Sequence, residues 1–185
     1  MGNINERLDQ VKLLIQDTDF LEGKGLSNEV NIRIFCYEAE DEMTVRHFIK
    51  KIKNDKTLNC NLIEFNLYKV FISICDDKRI TKAIPKMERS KGKEKLLREL
   101  QNIVTNNVFV EKMKYDPHNI GDVLVLTGVG EVFPFMRIHS LLESLQPHFS
   151  DIPILVFYPG VFDGHQVKFF NRLKPNNYYR AFNVI

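Results

Sequence analysis

Two short and almost continuous apolar runs constrain the fold of this chain more than any other feature. Residues 122–126 (DVLVL) and residues 154–157 (ILVF) show little of the alternation between apolar and polar positions that a half-buried strand would have. Strands that are covered on both faces have this pattern, and they belong mainly to parallel sheets flanked by helices. The back third of the chain therefore predicts buried strands of an α/β sheet.

The remaining sequence alternates predicted strands with predicted helices. Further strands are predicted at residues 31–37, 61–66 and 178–184. Helices are predicted at residues 4–16, 42–53, 67–77, 91–105 and 135–145, and a short one within 162–173. The helix over 91–105 is predicted to continue over residues 108–113. This order predicts an α/β fold with a mostly parallel five-stranded sheet, flanked by helices on both faces in three layers, with a P-loop-like layout but no Walker motif. With 185 residues, we expect a single domain over residues 1–185.

Composition narrows the class of protein. Hydrophobic residues make up 44% and charged residues 27% of the chain, as in an ordinary soluble globular protein. No apolar run approaches the roughly 18 residues of a membrane span, and the polar start MGNINERLDQ predicts no secretory signal. Cys36, Cys60 and Cys75 are widely spaced, odd in number and without a CxxC motif, which predicts reduced thiols in the cytoplasm.

The stretch 124–140 (LVLTGVGEVFPFMRIHS) carries the strongest functional signal. An apolar run ends at Thr127, and a turn follows in which Gly128, Gly130 and Pro134 are predicted to form the loop before the next helix. Ligands or partners of an open α/β sheet are met at the carboxyl ends of its strands. Residues 158–164 (YPGVFDG) carry a similar signal, in which Pro159 and Gly160 are predicted to end a strand and turn the chain.

Three segments together resemble one protein family. They are LTGVGEVFPFMRIHSLLESLQ at residues 126–146, PILVFYPGVFDG at residues 153–164 and NYYRAFNVI at residues 177–185. In combination they are similar to the BrxB proteins of bacteriophage exclusion (BREX) phage-defence systems. The resemblance implies cytoplasmic phage defence within a multi-protein system, with other BREX components as partners, above all the alkaline-phosphatase-superfamily protein PglZ. It implies no catalytic activity and supplies no catalytic residues.

The polar residues of these segments form the predicted site. We expect Glu131, Arg137, Asp163 and Arg180 to meet at the strand ends as a buried or half-buried cluster, since a guanidinium among aromatic residues needs a carboxylate partner. Such a cluster fits a structural ion-pair lattice and a docking surface equally well. The nearby aromatic residues would form a binding patch if they were exposed, although most of them are expected in the core.

Other kinds of site find weak support. Residues 128–133 have two glycines of G-x-G-x-x-G but Phe133 in place of the third, and residues 23–27 lack the strand-to-helix context of a P-loop. His139 and Ser140 are neighbours on a predicted helix and point in different directions, so they cannot act as a base and its nucleophile. Asp163 and His165 could join Glu131 and His139 around a metal, but turn formers and a surface imidazole explain them more simply. We therefore predict no cofactor, no metal and no catalytic residue.

A basic segment offers an alternative function. Residues 78–98 hold nine basic and two acidic residues, a net charge of +7, so the rest of the chain carries −5 of the overall +2. The candidate nucleic-acid contacts are Lys86, Arg89, Lys91, Lys93 and Lys95. No aromatic residue lies among these basic residues to stack on a nucleotide. The sequence therefore favours a solvated helix face over a nucleic-acid-binding site.

Three readings follow, in descending order of support. The first is a non-catalytic interaction module of BREX defence that binds a PglZ-like partner, and failure to form that complex would count against it. The second is a nucleic-acid-binding subunit that uses residues 78–98 and loses affinity steeply with salt. The third is a cryptic nucleotide- or metal-dependent hydrolase at the glycine turn, which calorimetry with ATP and divalent metals would test.

Overall fold

The computed structural model describes residues 2–23, 31–162, 167–170 and 183–184. Within them lie nine α-helices, namely α1 (Ile4–Leu14), α2 (Thr18–Leu21), α3 (Glu42–Lys53), α4 (Leu67–Asp77), α5 (Ile84–Lys91), α6 (Lys93–Ile103), α7 (Asn106–Met113), α8 (Val129–Val132) and α9 (Ile138–Leu145). The strands of the same residues are β1 (Ile32–Tyr37), β2 (Asn61–Asn66), β3 (Asp122–Thr127), β4 (Ile154–Phe162), β5 (Val167–Phe169) and β6 (Asn183–Val184).

The strands form a mostly parallel sheet in the order β2-β3-β4-β1-β6. β1 pairs in parallel with β4 and with β6, and β3 pairs in parallel with β4. β5 lies off this path and pairs with β4 in the antiparallel direction. The predicted α/β fold with a mostly parallel five-stranded sheet is therefore confirmed, whereas the P-loop-like layout stays a prediction.

The chain divides into two compact units. The first comprises residues 1–64, 117–127 and 149–185, and the second comprises residues 65–116 and 128–148. The expectation of a single domain over residues 1–185 stays a prediction, and each unit is described by itself.

The first unit is built around the central strands. Alternate side chains of β1, β3 and β4 pack with the apolar faces of α1 and α3 into one cluster, in which Phe35, Val125 and Phe157 are almost fully buried. The Phe35 and Phe157 rings are 5.6 Å apart. The other alternate residues of these strands, among them Ile34, Leu124 and Val156, are buried as well. Burial of both sets explains why the strand sequences hardly alternate.

The second unit is helical. α4 packs against α7 and α8, α7 packs against α9, and α5 packs against α6. The buried residues of α9 are Ile138, Leu141, Leu142 and Leu145, which recur at the three- and four-residue spacing of one helix face. Fully buried Phe109 and Met113 give α7 a corresponding apolar face.

The predicted helix over residues 135–145 starts later than expected. α9 begins at Ile138, and a separate short helix, α8, precedes it. Phe133 has an extended backbone (φ −68°, ψ 135°), as the residue before a proline prefers, and the Phe133–Pro134 peptide bond is cis. Pro134 lies in the connection between α8 and α9 and not in the first turn of α9. Gly130 lies inside α8, so its predicted role as a loop residue is wrong.

The predicted stop at Pro159 and Gly160 is wrong too. Both residues lie inside β4, where Pro159 is opposite Tyr37 of β1 and Gly160 is opposite Phe169 of β5. A Cβ atom built on Gly160 would overlap the Lys168 carbonyl group. The glycine therefore permits the close approach of β5, a second common reason for glycine in a strand besides a turn.

Two other predicted helices need correction. α6 does not continue into residues 108–113, because Val104 leaves helical geometry (φ −101°, ψ 61°) and Thr105 is the N-cap of a separate α7. Part of the region 162–173 forms strand β5 instead of a helix, and the rest of it lies largely outside the described residues. Across the part of the chain that the structure describes, every helix falls short of what crossing a bilayer requires.

Candidate functional site

The structure places two of the four predicted site residues in the second unit, and both are exposed. Glu131 lies in α8, and Arg137 is the N-cap residue of α9. Asp163 and Arg180 lie outside the described residues, so the meeting of all four side chains stays a prediction. An exposed carboxylate and an exposed guanidinium at the two ends of one connection are suited to recognition of a partner.

Gly128 begins this segment with a left-handed backbone (φ 69°, ψ 21°) as the N-cap residue of α8. A Cβ atom built at Gly128 would lie 2.8 Å from the Asn66 side chain. Asn66 is itself the N-cap residue of α4, where its side-chain oxygen accepts a hydrogen bond from the Lys69 backbone amide at 3.0 Å. The absence of a side chain at Gly128 thus makes room for the cap of α4, which is a structural reason for the glycine.

Three aromatic rings stack beside this segment. The centroid of the Phe71 ring lies 4.3 Å from that of the Phe135 ring, at an interplanar angle of 16°. The Phe71 ring also stacks with the Tyr68 ring, at a centroid distance of 5.9 Å. Phe71 is only 2% exposed, whereas Tyr68 is 37% exposed and Phe135 is half-buried. The stack therefore has a buried centre and accessible ends, which places aromatic surface in the same unit as Glu131 and Arg137.

Hydrogen bonds from neighbouring helices hold the connection in place. The Gln101 side chain of α6 donates to the Pro134 carbonyl at 2.8 Å, and the Asn106 side chain of α7 donates to the Ser140 carbonyl at 2.9 Å. The Ser140 hydroxyl donates to the Arg137 carbonyl at 3.0 Å. Each such bond contributes about 1 kcal/mol, and together they present the segment on a fixed backbone.

We call this region the 131–137 surface. It is defined by Glu131, Pro134, Phe135 and Arg137 together with Tyr68. Sequence reasoning identified Glu131 and Arg137 as candidates but missed Tyr68 and Gln101. Tyr68 lies on the predicted helix 67–77, but no local pattern could pair it through Phe71 with the distant Phe135.

The surroundings of His139 and Ser140 on α9 decide what chemistry these side chains could support. Burial, with a smaller contribution from the positive charge of Arg137, lowers the pKa of His139 from 6.5 to about 4. The Ser140 hydroxyl is engaged with the Arg137 carbonyl and lies 3.4 Å from the Asn106 side-chain oxygen. Its nearest acceptors are thus a carbonyl and an amide oxygen, neither of which can act as a general base.

Thr127, at the end of β3, belongs to a polar contact of the first unit. Its hydroxyl donates to Glu64 of β2 at 2.8 Å, and Glu64 also forms an ion pair with Lys53 of α3. Thr127 is 5% exposed. The hydroxyl thus satisfies a carboxylate of the neighbouring strand.

The basic segment is fully accessible. Its nine basic residues are all exposed, namely Lys78, Arg79, Lys82, Lys86, Arg89, Lys91, Lys93, Lys95 and Arg98. Lys91 forms an ion pair with Glu99 at 2.7 Å, and the structure gives no ion pair within its described residues for the other eight. The positive charge of this segment is therefore largely uncompensated.

Cysteine and metal chemistry add no further candidate. Burial raises the pKa of the Cys36 thiol to about 12 and also raises the pKa of Cys60 and Cys75, so all three are protonated thiols at neutral pH. In the ranges that the structure covers, no three residues of the metal-binding types lie close enough to share an ion.

Comparisons with known proteins agree with the resemblance. A family model described as BREX protein BrxB matches residues 63–184. A protein of Bacillus cereus (strain H3081.97) named BREX protein BrxB is 38% identical over 192 aligned residues, which cover 100% of this chain and 99% of that protein. A protein of the same name from Escherichia coli O9:H4 (strain HS) is 27% identical over 97% of this chain and 90% of its own length. No solved structure matches the chain significantly.

Proposed function

Because the chain belongs to the BrxB family of BREX phage-defence proteins, we propose that it is a non-catalytic interaction module that binds other BREX components through the 131–137 surface. The observation that carries this proposal is the combination of exposed Glu131 and Arg137 with the accessible ends of the Tyr68–Phe71–Phe135 stack. Tyrosine and arginine are enriched among the residues that dominate binding energy at protein interfaces.

The rigidity of the segment supports the same proposal. Hydrogen bonds from Gln101 and Asn106 fix the backbone on both sides of Arg137, so little conformational entropy is lost when a partner binds. The engagement of the Ser140 hydroxyl with the Arg137 carbonyl, and the low pKa of His139, give no support to acid–base chemistry at this surface.

The partner that we favour is the PglZ-like protein of the same defence system, in the cytoplasm. Membership of a BREX system means that other BREX components are the natural partners. An alkaline-phosphatase-superfamily partner would supply the enzymatic function, and this chain would supply a docking surface. That division of roles fits a family for which the resemblance supplies no catalytic residues.

A pull-down of the full chain with purified PglZ-like protein tests the proposal. We expect a complex at micromolar concentration and a loss of affinity of about tenfold or more in the Tyr68→Ala, Arg137→Ala double variant. The matched control is Met43→Ala with Arg46→Ala on α3, which also removes one exposed apolar side chain and one exposed arginine but lies outside this surface.

The single variant Arg137→Glu provides a second measurement that leaves the aromatic stack intact. Equal losses in the test and control variants, or no complex of the unchanged chain, would contradict the proposal. Heat released on addition of ATP or a divalent metal, with turnover of the nucleotide, would contradict the non-catalytic role.

Nucleic-acid contact is a second candidate function, and one observation favours it. The nine basic residues of the segment 78–98 are exposed, and among them the structure gives an ion pair within its described residues for Lys91 alone. Cations that no ion pair neutralises are available for an external polyanion.

A further inference from the structure

We propose that the α5–α6 hairpin binds the phosphate backbone of duplex DNA without reading its sequence. This inference rests on the second candidate function, nucleic-acid contact, and names the form of nucleic acid and the residues that hold it. The hairpin consists of the short 3₁₀ turn Thr81–Ala83, helix α5 and helix α6, with Gly92 between the two α-helices.

The outer face of α5 carries a continuous basic stripe. Lys82, Lys86 and Arg89 follow one another at spacings of four and three residues, so they lie on one face of the helical run. Half-buried Ile84 and Met87 lie on the opposite face, and α5 has no fully buried residue. α5 therefore lies on the surface of its unit with its charged side outward.

The outer face of α6 is positive as well. Lys95 and Arg98 are exposed, three residues apart, on the side away from buried Leu96 and Leu100. Gly92 has a positive φ of 79°, and a Cβ atom there would meet nothing within 4 Å, so the turn between the helices is open. Five cations, Lys82, Lys86, Arg89, Lys95 and Arg98, thus face solvent on one hairpin.

The uncompensated charge distinguishes this hairpin from an ordinary soluble helix face. Lys91 pairs with Glu99 across the hairpin, but the structure gives none of the five outward cations an ion pair within its described residues. Duplex DNA presents about one negative charge per 1.7 Å of its axis, so a row of cations can release several counterions on binding.

An acidic protein surface is a poorer fit than DNA. Protein interfaces favour aromatic residues and are depleted in lysine, whereas residues 78–98 contain six lysines, three arginines and no aromatic residue. The only exposed apolar residues of the hairpin region are Ala83 and Pro85, which are too small to fill a partner's pocket. Lysine suits a phosphate as a point charge.

The form of nucleic acid follows from the same composition. Single strands are held by stacking of bases on aromatic side chains, and the hairpin offers none. A duplex needs no such platform, because its phosphates are already arrayed on the outside. The lack of aromatic residues therefore argues against a single-stranded ligand and leaves duplex binding open. The major groove of B-form DNA is wide enough to seat a helix whose cations reach the phosphates along the groove edges, whereas the narrow major groove of A-form RNA excludes a helix, which favours DNA over duplex RNA.

Fluorescence anisotropy with the full chain and a short labelled DNA duplex of mixed sequence tests the inference. With about five phosphate contacts, the binding constant should fall roughly 500-fold between about 50 and 200 mM salt. The variant Lys82→Gln, Lys86→Gln, Arg89→Gln should bind at least about tenfold more weakly and lose more than half of the salt dependence. All three side chains are exposed, so the melting temperature should be unchanged.

The control variant is Lys50→Gln, Lys51→Gln, Lys69→Gln, which removes the same charge from three exposed lysines outside the hairpin. It should bind the duplex within about threefold of the unchanged chain, since none of the three lysines belongs to the hairpin. An equal loss in the control would overturn the inference, and so would the absence of duplex binding at low salt.

Competition experiments distinguish duplex DNA from the alternative ligands. Single-stranded DNA, duplex RNA and poly-glutamate should each compete less well than unlabelled duplex DNA, and equal competition by any of them would overturn the assignment. A partner pull-down with the variant Lys82→Gln, Lys86→Gln, Arg89→Gln, which we call the α5 variant, keeps the two proposals distinct. This variant should capture the PglZ-like protein as well as the unchanged chain does. A failed DNA experiment would therefore not contradict the proposal for the 131–137 surface.

Discussion

Gly128 has a left-handed backbone and lies so close to the Asn66 side chain that a Cβ atom would overlap it. Substitutions can separate the effect of backbone strain from that of this overlap. We predict that Gly128→Ala lowers the free energy of unfolding by about 2–3 kcal/mol, because alanine would be strained at φ 69° and its methyl group would meet Asn66. Urea denaturation followed by circular dichroism measures the loss.

Two further variants show how much of the Gly128→Ala destabilisation comes from backbone strain and how much from the overlap with Asn66. Gly23→Ala tests strain alone, since Gly23 also has a positive φ (63°) but an ordinary 3.8 Å neighbour distance, and it should cost about 1 kcal/mol. In an Asn66→Ala background the methyl group at residue 128 meets no amide, so the cost of Gly128→Ala should fall to a similar value. An unchanged cost in that background would show that Asn66 is not the obstacle.

His139 gives the second unit a dependence on mild acid. Its pKa of about 4 in the folded chain lies below the ordinary value of 6.5, so the unfolded chain takes up the proton first as the pH falls. The stabilising effect of the neutral imidazole is complete above pH 6.5 and is lost progressively as the pH falls toward 4. Because His139 is only partly buried, we expect a loss of about 1–3 kcal/mol over this range.

Unfolding curves at several pH values measure this loss. His139→Gln, which carries no charge at any of these pH values, should flatten the dependence between pH 6.5 and 4. His47→Gln, which removes an exposed imidazole on α3, is the control and should leave the dependence as it is. A dependence that persists in His139→Gln would assign the acid sensitivity to another group.

At the residue scale, the sequence predicted the polar members of the candidate site but not their surroundings. Glu131 and Arg137 follow directly from charged residues beside a glycine turn. The contact of Gly128 with Asn66, and of Phe71 with Phe135, joins residues that are far apart along the chain. Local patterns carry no record of such long-range pairs.

At the scale of helices and strands, periodicity predicted the long elements well and the short ones poorly. α3 and β2 begin and end at the predicted residues, since each has a clear period and polar residues at its ends. α8 has four residues, too few for a helical period to appear. Pro159 and Gly160 were misread because proline and glycine usually mark turns, whereas in β4 the glycine makes room for β5.

The pairing of β4 with β5 gives a prediction at this scale. Gly160→Ala would push its methyl group against the Lys168 carbonyl, so we expect β5 to separate from β4 at a cost of about 1–3 kcal/mol. Hydrogen exchange should then lose protection at the Phe170 amide, which donates to the Pro159 carbonyl at 3.0 Å. Val161→Ala, in the same strand, is the control and should keep that protection.

At the scale of the whole molecule, the sequence predicted the α/β class but not the strand order. The class follows from alternating elements and buried strands, whereas the order β2-β3-β4-β1-β6 depends on which strands pair across long connections. Charge is different, because it can be counted from the sequence alone. Residues 78–98 carry +7 and the remainder carries −5, so this segment should attract a polyanion more strongly than the remainder does as a whole.

The two proposed surfaces should therefore act independently, and a combined variant tests this at the level of the assembly. Tyr68→Ala with Arg137→Ala should weaken capture of the PglZ-like partner and leave the salt-dependent binding of duplex DNA unchanged, since neither residue belongs to the basic segment. The α5 variant should have the reverse effects. When both sets are combined, each free-energy loss should match its separate value within about 0.5 kcal/mol, as expected for sites without shared partners. A larger deviation, measured by anisotropy and pull-down on the same preparations, would mean that partner and DNA compete for one surface of the second unit.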